Sequence, residues 1–123
     1  MSTLKVATIQ DTSGNNSSTP EQVAQGRAKA WLNFDGRGTI AITDDFNFSS
    51  VTDLAVGRYT ATFTNSMSNA NYAVVGTSEY TSGNNPFQIV SIVDSTTTTI
   101  EFGNQRIDNI QADGIVYLAV FGG

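Results

Sequence analysis

The side chains able to do chemistry in this sequence are carboxylates, amides, hydroxyls and aromatic rings, because the chain contains no cysteine and no histidine. Thiol nucleophiles, cysteine-based zinc sites and every Ser-His or Cys-His arrangement are thereby excluded. Asp44 and Asp45 are adjacent. On a strand, neighbouring side chains point to opposite faces, so the pair reads as solvated turn charge. A glycosidase instead holds two carboxylates across its substrate. Asp53, Glu79, Asp94 and Glu101 would need the fold to bring them together, and nothing in their spacing marks a pair. The expectation is therefore no catalytic residue and no enzyme. Asp108-Asn109 and Asp113-Gly114 echo a calcium loop without its Asp-x-Asp-x-Asp-Gly spacing. They read as turns held by Asx hydrogen bonds, with no metal and no cofactor. Gly36-Arg37-Gly38 lacks the helix that follows a phosphate loop and reads as a tight hairpin turn.

One constellation suggests recognition. Tyr80, Asn84, Asn85 and Phe87 lie within eight residues of each other. Sugar sites in β-folds pair an aromatic face, stacked on pyranose C–H groups, with amide hydrogen bonds, and these four residues offer both. The competing reading is a long hairpin loop with Phe87 turned into the core. Trp31 stands beside core positions and reads as core or as an interface anchor.

Elements must position these groups, and composition bounds what the elements are. The chain has 123 residues, enough for one core. Only 14% of residues are charged against 39% hydrophobic, well below the roughly 25% charge of ordinary soluble domains. Ser, Thr and Asn fill the gap, which suits extracellular or virion β-proteins. The net charge of −5 and the six scattered basic residues leave no cationic patch for nucleic acid or anionic lipid. No apolar run approaches a membrane span, and the N-terminus lacks the apolar core of a signal peptide. A soluble chain made in the cytoplasm is expected, without membrane insertion.

Residues 1–19 read as an extended arm and linker: Leu4, Val6 and Ile9 supply apolar contacts, and 11–19 is wholly polar and turn-forming. Thr19-Pro20-Glu21-Gln22 is a helix start, with a hydroxyl cap, Pro at the first position and Gln at the capping-box position. The helix is predicted over about 20–29. From Ala30 the pattern has period two, clearest in Tyr59, Ala61 and Phe63 alternating with threonines. Seven or eight short strands result. They predict a single all-β domain over 20–123, an antiparallel sandwich or jelly-roll-like fold. Ile115 to Phe121 is apolar at consecutive positions, which predicts cover on both faces. It is either a central core strand or a strand with one face against a neighbouring subunit.

A longer string carries a resemblance. It runs Arg27-Ala-Lys-Ala-Trp31-Leu-Asn-Phe34-Asp-Gly36, then Gly38-Thr-Ile-Ala-Ile42, Phe48-Ser-Ser-Val-Thr-Asp53, Gly57-Arg-Tyr59-Thr-Ala-Thr-Phe63 and Asn69-Ala-Asn71-Tyr72-Ala-Val-Val75. It resembles a domain of bacteriophage tail-fibre-like proteins, notably of marine and cyanobacterial phages. Thr8 to Pro20 resembles stretches found just ahead of that domain, whereas Glu79 to Gly123 agrees only in general character. Family members carry the segment as one module of longer fibres, whereas this sequence is nearly the module alone, which suggests a tip, an adaptor or a decoration knob. The resemblance implies a structural protein of the virion surface, a tail-fibre or decoration subunit, built as a homotrimer among other virion proteins. Its alternative role is a host-attachment tip that recognises surface polysaccharide. Leu4, Val6, Ile9, Trp31, Val116, Leu118 and Val120 are the side chains expected at the interface between copies.

Overall fold

The computed structural model describes residues 1–79 and 87–123. Among them are one helix, α1 (Pro20–Gly26), and eight strands: β1 (Ala28–Asp35), β2 (Ala41–Phe46), β3 (Phe48–Ala55), β4 (Arg58–Phe63), β5 (Tyr72–Ser78), β6 (Gln88–Ser95), β7 (Thr99–Arg106) and β8 (Ile115–Gly122). They form two four-stranded sheets, ordered β2-β1-β8-β5 and β3-β4-β7-β6. Every pairing is antiparallel. The expected sandwich is the form realised: β1–β2, β3–β4 and β6–β7 pair within a sheet, and the chain crosses between sheets from β2 to β3.

The helix starts as its sequence dictates. Thr19 Oγ1 accepts from the Gln22 amide at 3.2 Å, and the Thr19 amide donates to Gln22 Oε1 at 2.8 Å. It stops at Gly26, earlier than expected, because Arg27 is already extended (φ −84°, ψ 148°) and leads into β1. The polar stretch ahead of it folds back on itself rather than running open. The Asp11 carboxylate accepts from the Ser13 and Asn15 amides, and Ile9 bridges Ser18.

The core lies between the sheets. Ala30, Leu32 and Phe34 of β1 meet Tyr59, Ala61 and Phe63 of β4, with Ile100 and Phe102 of β7 and Val116, Leu118 and Val120 of β8. All are buried, as alternation requires of a strand with one face inward. The rings interlock edge to face: Phe34 and Tyr59 have centroids 4.8 Å apart, and Phe34 and Phe102 6.0 Å. Phe63 stacks on Phe48 at 4.9 Å and meets the edge of Tyr72 at 5.8 Å.

This burial corrects one expectation. Val116, Leu118 and Val120 were expected at an interface between copies, but their side chains point into the sandwich and Leu118 is only 3% exposed. β8 is a central strand between β1 and β5. Its outward residues are Ile115, Tyr117, Ala119 and Phe121, all half-buried. The continuous apolar run therefore has one face in the core and one uncovered.

Candidate functional site

The strand registers assemble that uncovered face. Phe46 pairs with Trp31, Trp31 with Ala119, and Ala119 with Val75, which makes one row across all four strands β2-β1-β8-β5. Trp31 is 38% exposed, Phe46 52% and Val75 59%. Two positions along the strands, the next row is Asp44, Asn33, Tyr117 and Thr77. The row on the other side includes Phe121 and Ala73. The small Ala119 leaves a shallow depression of about 340 Å³ between β5 and β8, lined by Val75, Gly76, Thr77, Tyr117, Leu118 and Ala119. Tyr117 donates to the Glu79 carboxylate, and that bond, with some burial, holds the phenol above its ordinary pKa.

The opposite outer face has different chemistry. Ser50, Thr62 and Thr99 form one row across β3, β4 and β7, and Thr52, Thr60 and Glu101 the next. Arg58 ion-pairs with Glu101 there. Hydroxyls satisfy water without any partner, whereas an exposed row of indole, phenyl and isopropyl groups does not. The β3-β4-β7-β6 sheet also exposes Leu54, Ile89, Ile92 and Val93 on its edge strands, but it is the β2-β1-β8-β5 sheet whose exposed apolar residues line up in one row across four strands, which marks it as the candidate site.

The other sequence candidates fall in several places. Tyr80, Asn84 and Asn85 lie outside the described residues, and Phe87 is exposed rather than turned into the core. Trp31, read as core or anchor, stands on the outer face. Leu4, Val6 and Ile9 are exposed on the arm, where with Lys5 and the α1 residues Pro20, Val23 and Ala24, and Arg27 just beyond, they line a second open cavity of about 560 Å³. Phe46 and Val75, which complete the outer row, were not singled out from the sequence. Each is one of several apolar residues in its strand, and only cross-strand register brings them level with Trp31.

The acidic candidates have structural work. Asp45 Oδ2 accepts from the Phe48 amide at 3.1 Å, and Asp44 joins the outer polar row. Asp108 pairs with Arg106 and accepts from the Ile110 amide, as an Asx turn requires. Asp113 Oδ1 accepts from the Gly57 amide at 2.8 Å and from the Tyr59 hydroxyl at 2.6 Å. Asp94 and Glu101 are cross-strand partners, and Glu101 is engaged by Arg58. Among the described residues, no group of three or more acidic side chains is arranged to hold a metal ion, and no helix is long and apolar enough to cross a membrane.

The fold defines the protein as a β-sandwich module of two four-stranded antiparallel sheets, one of which presents an exposed apolar row across all four of its strands. No protein-family model, no curated protein and no solved structure matches the chain.

Proposed function

We propose that the chain is a structural, non-catalytic module of a bacteriophage particle surface, a tail-fibre or decoration subunit that joins its neighbours through sheet surfaces. The observation that carries the assembly half is the continuous row Phe46–Trp31–Ala119–Val75 across the β2-β1-β8-β5 sheet, with Phe46, Trp31 and Val75 exposed. Burying such a row stabilises by about 25 cal/mol per Å² before the costs of association. The exposed Leu4, Val6 and Ile9 on the arm offer a second contact, able to lie along a neighbour's strand edge. The particle half rests on the resemblance described above, which also implies three copies about one axis. Light scattering during size exclusion, with density for the module in a particle reconstruction, tests both halves. A monomer at micromolar concentration that is missing from the virion overturns the proposal.

A second reading is favoured by the polar row beside Trp31. Asp44, Asn33, Tyr117 and Thr77 flank an exposed indole, the combination of stacking surface and hydrogen-bonding groups that a glycan-binding attachment tip uses. Titration with host-surface polysaccharide, followed through the emission of the single tryptophan, tests it. Absence of a saturable change rejects it.

A further inference from the structure

The apolar row is uneven in a way that suits a copy of itself. Across the sheet it runs large, large, small, medium: Phe46 on β2, Trp31 on β1, Ala119 on β8, Val75 on β5. A two-fold axis parallel to the strands and passing between β1 and β8 exchanges β1 with β8 and β2 with β5. It sets each Trp31 over the other copy's Ala119 and each Phe46 over the other's Val75. We propose that a second copy of this chain covers the outer face of the β2-β1-β8-β5 sheet about that axis, with each Trp31 seated in the partner's depression beside Ala119. The inference rests on the self-association reading above and specifies its surface.

Three features favour a second copy. The first is fit: the depression of about 340 Å³ lies next to Ala119 on the same face as the indole that would fill it, so one surface carries both knob and hole, as an isologous contact requires. The second is area. Four strands spaced ~4.8 Å apart and about seven residues long give a face of roughly 400 Å² in projection. Two such faces with their side-chain relief remove on the order of 1,000 Å² from water, the lower bound for a specific pair. The third is charge. The chain carries a net −5, yet the central row has no charged group. The axis sends the two Asp44 carboxylates to opposite margins, each over the partner's β5 near Glu79, whose carboxylate the Tyr117 hydroxyl engages. The two Asp44 carboxylates end about three inter-strand spacings apart, roughly 14 Å, beyond the screening length of about 8–10 Å. The twist of each sheet sets the two faces at about 30°, as in other aligned sheet packings.

This pairwise contact is an alternative to the three-fold arrangement that the resemblance implies, and mass separates the two. Size exclusion with light scattering of the whole chain should give about 26 kDa, twice the 13.1 kDa chain. Ala119→Glu should return it to a monomer with unchanged far-ultraviolet circular dichroism. In the wild type, emission of the single tryptophan should shift to the red on dilution through the dissociation range, a readout that needs no variant to fold. A trimer of about 39 kDa, or a dimer whose tryptophan emission ignores dilution, overturns the two-fold contact and leaves self-association standing. A monomer at every concentration overturns both readings. Emission that answers to polysaccharide and not to protein concentration assigns the face to glycan and overturns the proposal.

Discussion

Tyr59 shows how one side chain joins the two halves of the sandwich. Its ring is buried against Phe34 and Phe102, and its hydroxyl donates to Asp113, with Gly36 carbonyl oxygen 3.2 Å away. Burial, and then the Asp113 carboxylate, raise its pKa far above the ordinary value. Above about pH 10 the tyrosines of an unfolded chain lose their protons, while Tyr59 in the folded chain keeps its own. The unfolded state then binds fewer protons, so the stability present below that pH falls as pH rises. Urea midpoints measured from pH 8 to pH 11 should decline, and the decline should be shallower in Tyr59→Phe. Equal slopes in the two proteins would show that Tyr59 is not the linked group. Phe63 tests packing at the same scale. It is buried between Phe48 and Tyr72, so Phe63→Ala should cost about 3–5 kcal/mol in denaturant melts. A loss below about 1 kcal/mol would place the ring outside the cooperative core.

Between elements, the passage from one sheet to the other turns on Asn47. β2 ends at Phe46 and β3 begins at Phe48, so a single residue makes the corner. Its φ of 62° is left-handed, which Asn tolerates better than most residues. Its amide nitrogen donates to the Lys29 and Asn65 carbonyl oxygens at 3.3 and 3.1 Å, and its oxygen accepts from the Asn65 amide at 2.8 Å. Asn47→Ala should cost about 2 kcal/mol, through roughly 1 kcal/mol of backbone strain and a similar loss of hydrogen bonding. Asn47→Gly relieves the strain and should cost less, and thermal melts that rank the two variants the other way would refute the account. Gly76 is the corresponding tight spot in β5. A Cβ there would sit 2.8 Å from Leu118 Cδ2 and 2.9 Å from Val90 Cγ1, so the edge strand lies directly on the core.

At the scale of the whole molecule, the sandwich and its arm are energetically separate. No residue of 1–17 is buried or half-buried, and α1 buries none of its side chains. Deleting residues 1–17 should leave the unfolding midpoint of the isolated domain within about 0.5 kcal/mol of the full chain, because surface changes away from core, caps and networks stay in that range. A larger loss in urea melts would mean that the arm packs on the sandwich.

The sequence alone determined whatever follows from local periodicity and local hydrogen bonding. Tyr59, Ala61 and Phe63 announce a buried face because period two leaves no other, and Thr19 with Gln22 announces a helix start because both partners lie within one turn. Which strands are neighbours is a non-local fact, and tertiary structure decided it. Val116, Leu118 and Val120, assigned to an interface from the sequence, lie in the core, because a run without alternation carries no phase; only packing against β4 and β7 fixed which set points inward. Phe46, Trp31 and Val75 are separated by fifteen and twenty-nine residues along the chain, and no local rule joins them. Antiparallel register places them in one row, and that row exists only once the sheet has formed.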